Sequence, residues 1–422
     1  MFEPLRFLHV ADAYLDEPLT DTGTLSSRIQ NLAMDCTLNA FERMVLGAID
    51  HAVDFVLMAG NTFCEADQSL RARLWLLDGL RTLNEEGIEV FVLPGPADPE
   101  EAWRAIPGLP ENVTLLTKGD ASEEEPATPV AVLREGRVLA TITSGTLSQL
   151  SQGNYASSHP NFAAVSANGK VRHSPFRVGL LTNWPAAFDE EAVKSRLSSC
   201  GCHYLAVPNA GGNSAGPKVH YPGPLQARRP HETGPHGASL IEVDNQGEVC
   251  QTFLPFASVR RLRLKIPVQS HNSPAQILGV MKSRLEEEPI VKGEDAWLIH
   301  WILKGSWQST ELPSELITSL PEYHPGDAEL LLGHQIQFQQ SPPPKAGEDK
   351  PSDLLRLYRQ ELETASLDDA SLKNAVVDIV ERLENPNWHE RLAPLAKEIN
   401  PAEVRSRALL LGDEWFRESR EE

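Results

Sequence analysis

Short apolar segments alternate with amphipathic segments over the first hundred residues, and this alternation restricts the folds that the chain can adopt. The segments 5–10, 53–59 and 88–93 have the length and composition of buried strands. Between them, segments 29–52 and 70–83 carry one apolar stripe at helical spacing. A strand–helix–strand repeat joins its strands by right-handed crossovers, which give a parallel sheet. The sequence therefore predicts an α/β fold.

The pattern changes near Pro255. Before it, six further strands are predicted, at 130–133, 138–142, 177–181, 204–207, 218–221 and 238–243. After it, strands are predicted at 259–266, 296–303 and 327–338, with a helix at 274–285. A chain of 422 residues is too long for one ordinary core. We therefore expect a core at 1–255 and a small α+β capping domain at 256–338.

The last eighty residues have a different character. Residues 339–352 are rich in proline and charge and predict a linker, and residues 353–422 carry only helical patterns. Apolar residues at helical spacing form candidate anchors for a partner protein, although the same stripes suit a small bundle that packs on itself. These residues are Leu354, Tyr358, Leu362, Leu372, Val376, Ile379 and Leu383.

Charge and cysteine content restrict the partners and the compartment. A formal charge of −21 opposes nonspecific nucleic-acid binding by the whole surface, but a local basic patch remains compatible with it. Two basic groups are candidates for DNA contact, although solvated side chains on an acidic protein are the favoured interpretation: Arg228 and Arg229, then Arg261, Arg263 and Lys265. Five scattered cysteines do not suggest a disulfide framework. Without an apolar membrane-length segment or a signal-peptide pattern, a cytoplasmic protein is expected.

Three predicted strands end in polar loops, which is where open parallel sheets bind ligands. These loops are Asp12-Ala13-Tyr14-Leu15-Asp16, Gly60-Asn61-Thr62-Phe63-Cys64 and Gly95-Pro96-Ala97-Asp98. Their spacing and flanks resemble the calcineurin-like metallophosphoesterases, most closely the SbcD-like DNA repair exonucleases and their YhaO-type relatives. That family shows DxHLD, GDxxD and GNHD at these places, and later a GLLHG-like strand end and a GHxH. The resemblance implies a four-layer αββα sandwich and, for the family, two manganese ions.

Most of the ligands that the family uses are replaced in this chain. Asp12 is retained, but Tyr14 replaces a histidine, and Asn61 replaces the aspartate that bridges the two metals. Pro96 and Ala97 replace the asparagine ligand and the catalytic histidine, and Asp98 is retained. Further replacements stand at the closing aspartate of the second motif and at the later histidines: Cys64, Thr182, Asn209 and Gly211.

Two divalent ions roughly 4 Å apart need anionic bridging ligands and imidazoles around them. One aspartate cannot replace that set, so no cofactor is expected here. The resemblance thus implies a degenerate, non-catalytic family member that acts as a structural or regulatory subunit in DNA repair or nucleic-acid metabolism. It also implies docking of the C-terminal helices on an SMC-like coiled-coil ATPase.

Two alternatives stay open. One is a nuclease or phosphoesterase with a rearranged site that uses Asp12, Asn61, Asn209 and nearby histidines. The other is a module that binds single-stranded DNA or a small ligand in the old cleft without cutting it.

Overall fold

A computed structural model describes residues 2–23, 25–116, 128–152, 175–182, 201–207, 218–269, 272–305 and 319–340. Residues 1–341 form one compact unit, which holds every described residue. Residues 342–422 form a second unit. The predicted helical region and its candidate anchors therefore lie outside the described residues, as does most of the predicted linker.

A six-stranded sheet forms the centre of the core. Four parallel strands, β1 Leu5–Ala11, β2 Phe55–Gly60, β3 Glu89–Pro94 and β4 Val113–Leu115, lie side by side. Two antiparallel strands, β10 Gly237–Val243 and β11 Val249–Pro255, extend the sheet beyond β1. Helices α1 Ser27–Asp50 and α2 Leu70–Glu85 cover one face of this sheet. They pack against alternate residues of the strands, including Val56 and Val90.

A five-stranded sheet packs against the other face. It contains β5 Val130–Arg134, β6 Arg137–Gly145, β7 Phe176–Leu181, β8 Tyr204–Ala206 and β9 Val219–His220. Strands β6 to β9 are parallel, and β5 is antiparallel to β6. Aromatic residues fill the space between the sheets; the rings of Phe7 and Phe55 stack with centroids 4.7 Å apart. Helix α4 Leu147–Gln152 lies on the outer face through Leu147 and Leu150.

The order helix, sheet, sheet, helix confirms the predicted α/β sandwich. Strands β4 and β11 and the short helices α3 Glu100–Arg104 and α4 are among the elements that the sequence did not predict. Among the described helices, none combines the length and the apolar composition that a membrane span requires.

A third sheet follows Pro255 and has a core of its own. Its strand order is β12 Val259–Val268, β13 Ala296–Gly305, β15 Asp327–Gln340 and β14 Tyr323–His324. Helix α5 Pro274–Glu287 begins with a capping box between Ser273 and Gln276 and packs on this sheet. β15 continues to Gln340, two residues into the segment predicted as linker. The sheet adjoins the first helix, because Ile29 and Cys36 of α1 pack with Val259, Ala296 and Leu298.

Candidate functional site

The loops after β1, β2 and β3 meet at the carboxyl edge of the parallel strands. The first loop runs alongside the second, and three backbone hydrogen bonds join them. These bonds are Asp12 N to Ala59 O (3.2 Å), Tyr14 N to Asn61 O (3.1 Å) and Leu15 N to Thr62 O (2.7 Å). Its backbone is unusual. Asp12, Tyr14 and Asp16 have φ angles of 46°, 45° and 61°, in the left-handed region that residues other than glycine rarely adopt.

Asn61 lies at the centre of the site and bonds with both neighbouring loops. Its backbone N–H and its Nδ2 each donate to Asp12 Oδ1 at 3.1 Å, and Nδ2 also lies 2.7 Å from the Tyr14 hydroxyl. Its Oδ1 accepts from the backbone N–H of Ala97 at 2.9 Å. The hydroxyl of Tyr221 donates to the other oxygen of Asp12 at 2.8 Å. Both carboxylate oxygens of Asp12 are therefore engaged inside the protein.

Burial dominates the titration of this site. It raises the pKa of Asp12, although the hydrogen bonds from Tyr221 and Asn61 act in the opposite direction. Burial and the nearby Asp12 also raise the pKa of Tyr14 and of Tyr221, so both phenols remain protonated and able to donate. The site thus holds one partly shielded carboxylate with two neutral phenols.

A buried arginine brings a positive charge into this cleft. The guanidinium of Arg228 lies 3.4 Å from the ring centroid of Tyr14 and forms an ion pair with Glu17. Its Nε is buried and has no hydrogen-bond partner among the described residues. We call Asp12, Tyr14, Asn61, Tyr221 and Arg228 the Asp12 network.

Asp98 fixes the third loop rather than facing a ligand. Its two oxygens accept from the backbone N–H groups of Thr62 (2.9 Å) and Gly95 (2.8 Å) and from the indole of Trp103 (3.0 Å). Burial nevertheless raises its pKa to about 6. Gly95 is required here, because a Cβ at this position would lie 2.5 Å from Oδ1 of Asn61.

The structure also describes three other replaced ligand positions, Pro96, Ala97 and Thr182. Pro96 is exposed, and Ala97 supplies only its backbone N–H. Thr182 bonds through its backbone N–H to Gly145 O at 3.0 Å. Asn209 and Gly211 lie outside the described residues.

One cluster of possible ligands escaped the sequence analysis. Glu17, Cys64 and Asp67 place one ligand atom each within 4.8 Å of one another, and in the described part of the chain no other group of three does so. Glu17 already pairs with Arg228. The signal was present, since Glu17 follows the first motif directly and Cys64 closes the second.

Two of the nearby histidines, His9 and His220, are buried in the sandwich and lie close to hydroxyl groups. Nδ1 of His9 lies 2.8 Å from the Tyr204 hydroxyl, and Nε2 of His220 lies 2.7 Å from Oγ of Ser239. Burial lowers the pKa of His220 to about 4 and that of His9 well below its usual value, so both rings are neutral. His231 is exposed, and Nδ1 of His236 bonds with Gly234 O.

The structure separates the five candidate DNA contacts into two sets. Arg228 and Arg261 are buried, and Nη2 of Arg261 donates to the carbonyl of Arg228 at 2.9 Å. These two guanidiniums bind the protein itself and are not surface groups. Arg229, Arg263 and Lys265 are exposed.

Comparison with known proteins relates the chain to a metallophosphoesterase. No family model matches it. Over 269 residues it is 30% identical to the uncharacterized metallophosphoesterase YhaO of Bacillus subtilis, a match that spans 60% of this chain and 60% of that protein. Two solved structures are similar over 60% of this chain. TT1561 of Thermus thermophilus has 13% identity, a TM-score of 0.31 and 99% of its length covered. GAP50, the anchor in the inner membrane complex of Plasmodium, has 10% identity, a TM-score of 0.28 and 85% covered.

Proposed function

We propose that this protein is a non-catalytic subunit built on a metallophosphoesterase-like scaffold, with a structural or regulatory role in nucleic-acid metabolism or DNA repair. The Asp12 network is the observation that carries the proposal. At the positions where the resembling family holds two metals, this chain has hydrogen bonds that join the three loops to one another.

The residues present do not fit two divalent cations. Two such ions need an anionic bridge to offset their mutual repulsion, and the neutral amide of Asn61 occupies that position. Arg228 adds a fixed positive charge beside Tyr14, which opposes the approach of a further cation. We therefore derive no metal-dependent reaction from this site.

Calorimetry with Mn²⁺ and a phosphodiesterase assay test the proposal. The wild-type chain should show no tight Mn²⁺ site and no cleavage of a generic phosphodiester or linear duplex DNA above buffer. A rebuilt variant serves as the positive control, with Tyr14→His, Asn61→Asp, Cys64→Asp, Pro96→Asn, Ala97→His, Thr182→His, Asn209→His and Gly211→His. Wild-type turnover that disappears in Asp12→Ala would overturn the proposal.

A second candidate function is a single-metal phosphoesterase. The observation that favours it is the Glu17, Cys64 and Asp67 cluster, which combines a thiol and two carboxylates. A Zn²⁺ titration of wild type and Cys64→Ser separates the two candidates. Tight binding lost in Cys64→Ser, together with hydrolysis lost in the same variant, would replace the non-catalytic proposal with this one.

The nucleic-acid context rests on the resemblance to the SbcD-like family and on the exposed basic residues. A fluorescence titration with single-stranded DNA at two salt concentrations tests contact at Arg229, Arg263 and Lys265. Charge reversal of these three should weaken any binding, whereas the exposed helix residue Lys282, changed to Glu, is the matched control. If the triple variant binds single-stranded DNA as tightly as Lys282→Glu does, Arg229, Arg263 and Lys265 do not contact DNA.

The proposed partner is a coiled-coil ATPase of the SMC-like type, recruited by the apolar stripes of residues 353–422. Because residues 1–341 form one compact unit, deletion of 341–422 should abolish co-purification and leave the core folded. Equal co-purification by the truncated chain would show that these segments are not the docking element.

A further inference from the structure

The described sheets have six edge strands, and five of them are protected against pairing with another chain. Natural proteins protect edges with short strands, bulges, charges or proline. β4 has three residues, and β9 and β14 have two each. β5 contains an irregularity at Val132/Leu133 and ends in Arg134. β12 exposes Arg263, Lys265 and Pro267.

β11 differs from the other five. It has seven residues, Val249–Pro255, none of them charged, and it pairs with β10 in continuous register without a bulge. Its only proline is the last residue. Cys250, Thr252 and Phe253 are exposed, and Phe253 keeps 41% of its surface open to solvent. A long, regular, uncharged edge is the type of strand that templates pairing.

The backbone groups available on this edge follow from the register. Asp244 N donates to Glu248 O at 3.1 Å, so the 244/248 pair is hydrogen-bonded. Hydrogen-bonded pairs alternate along an antiparallel ladder. Residues 250, 252 and 254 therefore bond to β10, and Val249, Gln251 and Phe253 direct their N–H and C=O groups away from the sheet.

We propose that β11 pairs antiparallel with β11 of a second copy of this chain, about a two-fold axis at Gln251. In this register Val249 of each copy lies opposite Phe253 of the other copy. Gln251 lies opposite Gln251 of the other copy. It covers the apolar side of Phe253, and each outward N–H meets a carbonyl. An axis at Thr252 would instead place Val249 opposite Pro255, which has no N–H to donate.

Electrostatics favours this edge as the point of contact. Two copies that each carry a formal charge of −21 repel one another, and β11 is a seven-residue surface segment without charge. Salt screens that repulsion, so association should strengthen as NaCl rises from about 50 to about 500 mM. A single strand pair buries little area, so the dimer should be weak and form at micromolar or higher concentration.

Sedimentation velocity on the full chain tests the surface. Phe253→Lys brings a charge into the pairing edge and should raise the dissociation constant at least about ten-fold. Leu133→Lys, at a 53% exposed leucine on the β5 edge, is the matched control and should associate as wild type does. A wild-type chain that stays monomeric at both salt concentrations, or a dimer unaffected by Phe253→Lys, overturns the proposal.

Disulfide trapping tests the register without disturbing the fold. The register places Cys250 opposite Thr252 of the second copy in a pair without hydrogen bonds, where Cα atoms lie about 4.5 Å apart, within disulfide reach. Oxidised Thr252→Cys should therefore yield a covalent dimer, and Thr252→Cys with Cys250→Ser should not. Covalent dimer from the double variant would place the axis at residue 252 and overturn the register, and dimer from neither would overturn the pairing.

Discussion

The Asp12 network and the core of the third sheet represent two ways of stabilising one chain. The third sheet buries large apolar side chains, including Trp297, Trp301 and Met281, in one continuous cluster. The Asp12 network instead joins three loops by a few directed hydrogen bonds around a buried carboxylate. Apolar contacts in the sheet are numerous and non-directional, whereas each bond in the network has one donor and one acceptor.

This difference shows that loops at the carboxyl edge of a parallel sheet can be joined by directed hydrogen bonds instead of by apolar packing. A two-metal site needs charge that the protein leaves uncompensated until the ions bind. In this chain Asn61 and Tyr221 supply donors to Asp12 from within, and Arg228 lies beside Tyr14. Asp12, Tyr14 and Asp16 give the first of these loops its left-handed backbone.

The largest effect should follow the loss of a buried indole in the third sheet. Trp301 is fully buried and its Nε1 donates to Nδ1 of His334 at 3.0 Å. Trp301→Ala removes this bond and leaves a cavity, so we expect the free energy of unfolding to fall by about 3–5 kcal/mol. Val280→Ala, at a 49% exposed residue of α5, should change it by less than about 0.5 kcal/mol. Denaturant midpoints measure both.

A smaller loss is expected from the aspartate that holds the third loop. Asp98→Ala leaves the backbone N–H groups of Thr62 and Gly95 and the indole of Trp103 without their acceptor. We expect the free energy of unfolding to fall by about 2–4 kcal/mol, measured by chemical denaturation at about pH 7. Glu111→Ala, at an exposed turn residue, is the control. If Asp98→Ala leaves the free energy of unfolding unchanged, the third loop is held by packing instead.

Acid should destabilise the protein through its buried neutral histidines. The folded-state pKa of His220 is about 4, below the ordinary value of 6.5, because burial disfavours the charged ring. The unfolded chain then binds the proton first, so stability is lost as pH falls from 6.5 towards 4. Between about pH 6.5 and 5 the loss is about 2 kcal/mol for this group.

The contribution of His220 to the pH dependence of stability is measured as a difference between wild type and a His220 variant, because Asp98 changes stability in the opposite direction. With its pKa raised to about 6, Asp98 binds a proton first in the folded state, and stability rises as pH falls through 6. Subtracting the pH profile of His220→Gln from that of wild type cancels this effect. A flat difference between about pH 7 and 5 would show that His220 titrates normally.

The sequence predicted the buried elements of the fold well, because periodicity records burial. The α2 prediction begins at Leu70, where the helix begins, and the first three strands match within two residues. β11 was not predicted, because its residues lie at an edge and three of them are exposed. β4 was not predicted either, since three partly buried residues give no periodic signal.

The site was predictable residue by residue but not as a network. The sequence indicated that Asp12 and Asn61 lie at neighbouring strand ends and that Tyr14 stands in the first of these loops. It did not indicate that Tyr221 reaches Asp12, a bond between residues 209 positions apart. Arg261 was placed on a strand face with Arg263, but the contact of β12 with Gly234 buries it. Such contacts depend on how loops fold back over strands, which periodicity does not record.

The smallest effect should come from the Tyr14 hydroxyl, and it tests how the network is organised. Tyr14→Phe removes the bond with Asn61 Nδ2, but Nδ2 still donates to Asp12 and the ring still stacks with Arg228. Because no buried donor loses its last acceptor, we expect a loss of about 0.5–1.5 kcal/mol in the free energy of unfolding.

Tyr221→Phe is the matched comparison for this last variant, because it removes the phenol that donates to the second oxygen of Asp12. Loss of a hydrogen bond to a charged group costs more, about 1.5–3 kcal/mol. A double-mutant cycle between the two positions measures their coupling, which should be positive if Asp12 and Asn61 connect them. If the two single variants lower the free energy of unfolding equally and their coupling is zero, the tyrosines act by packing. The contrast between the Asp12 network and the apolar third sheet would then disappear.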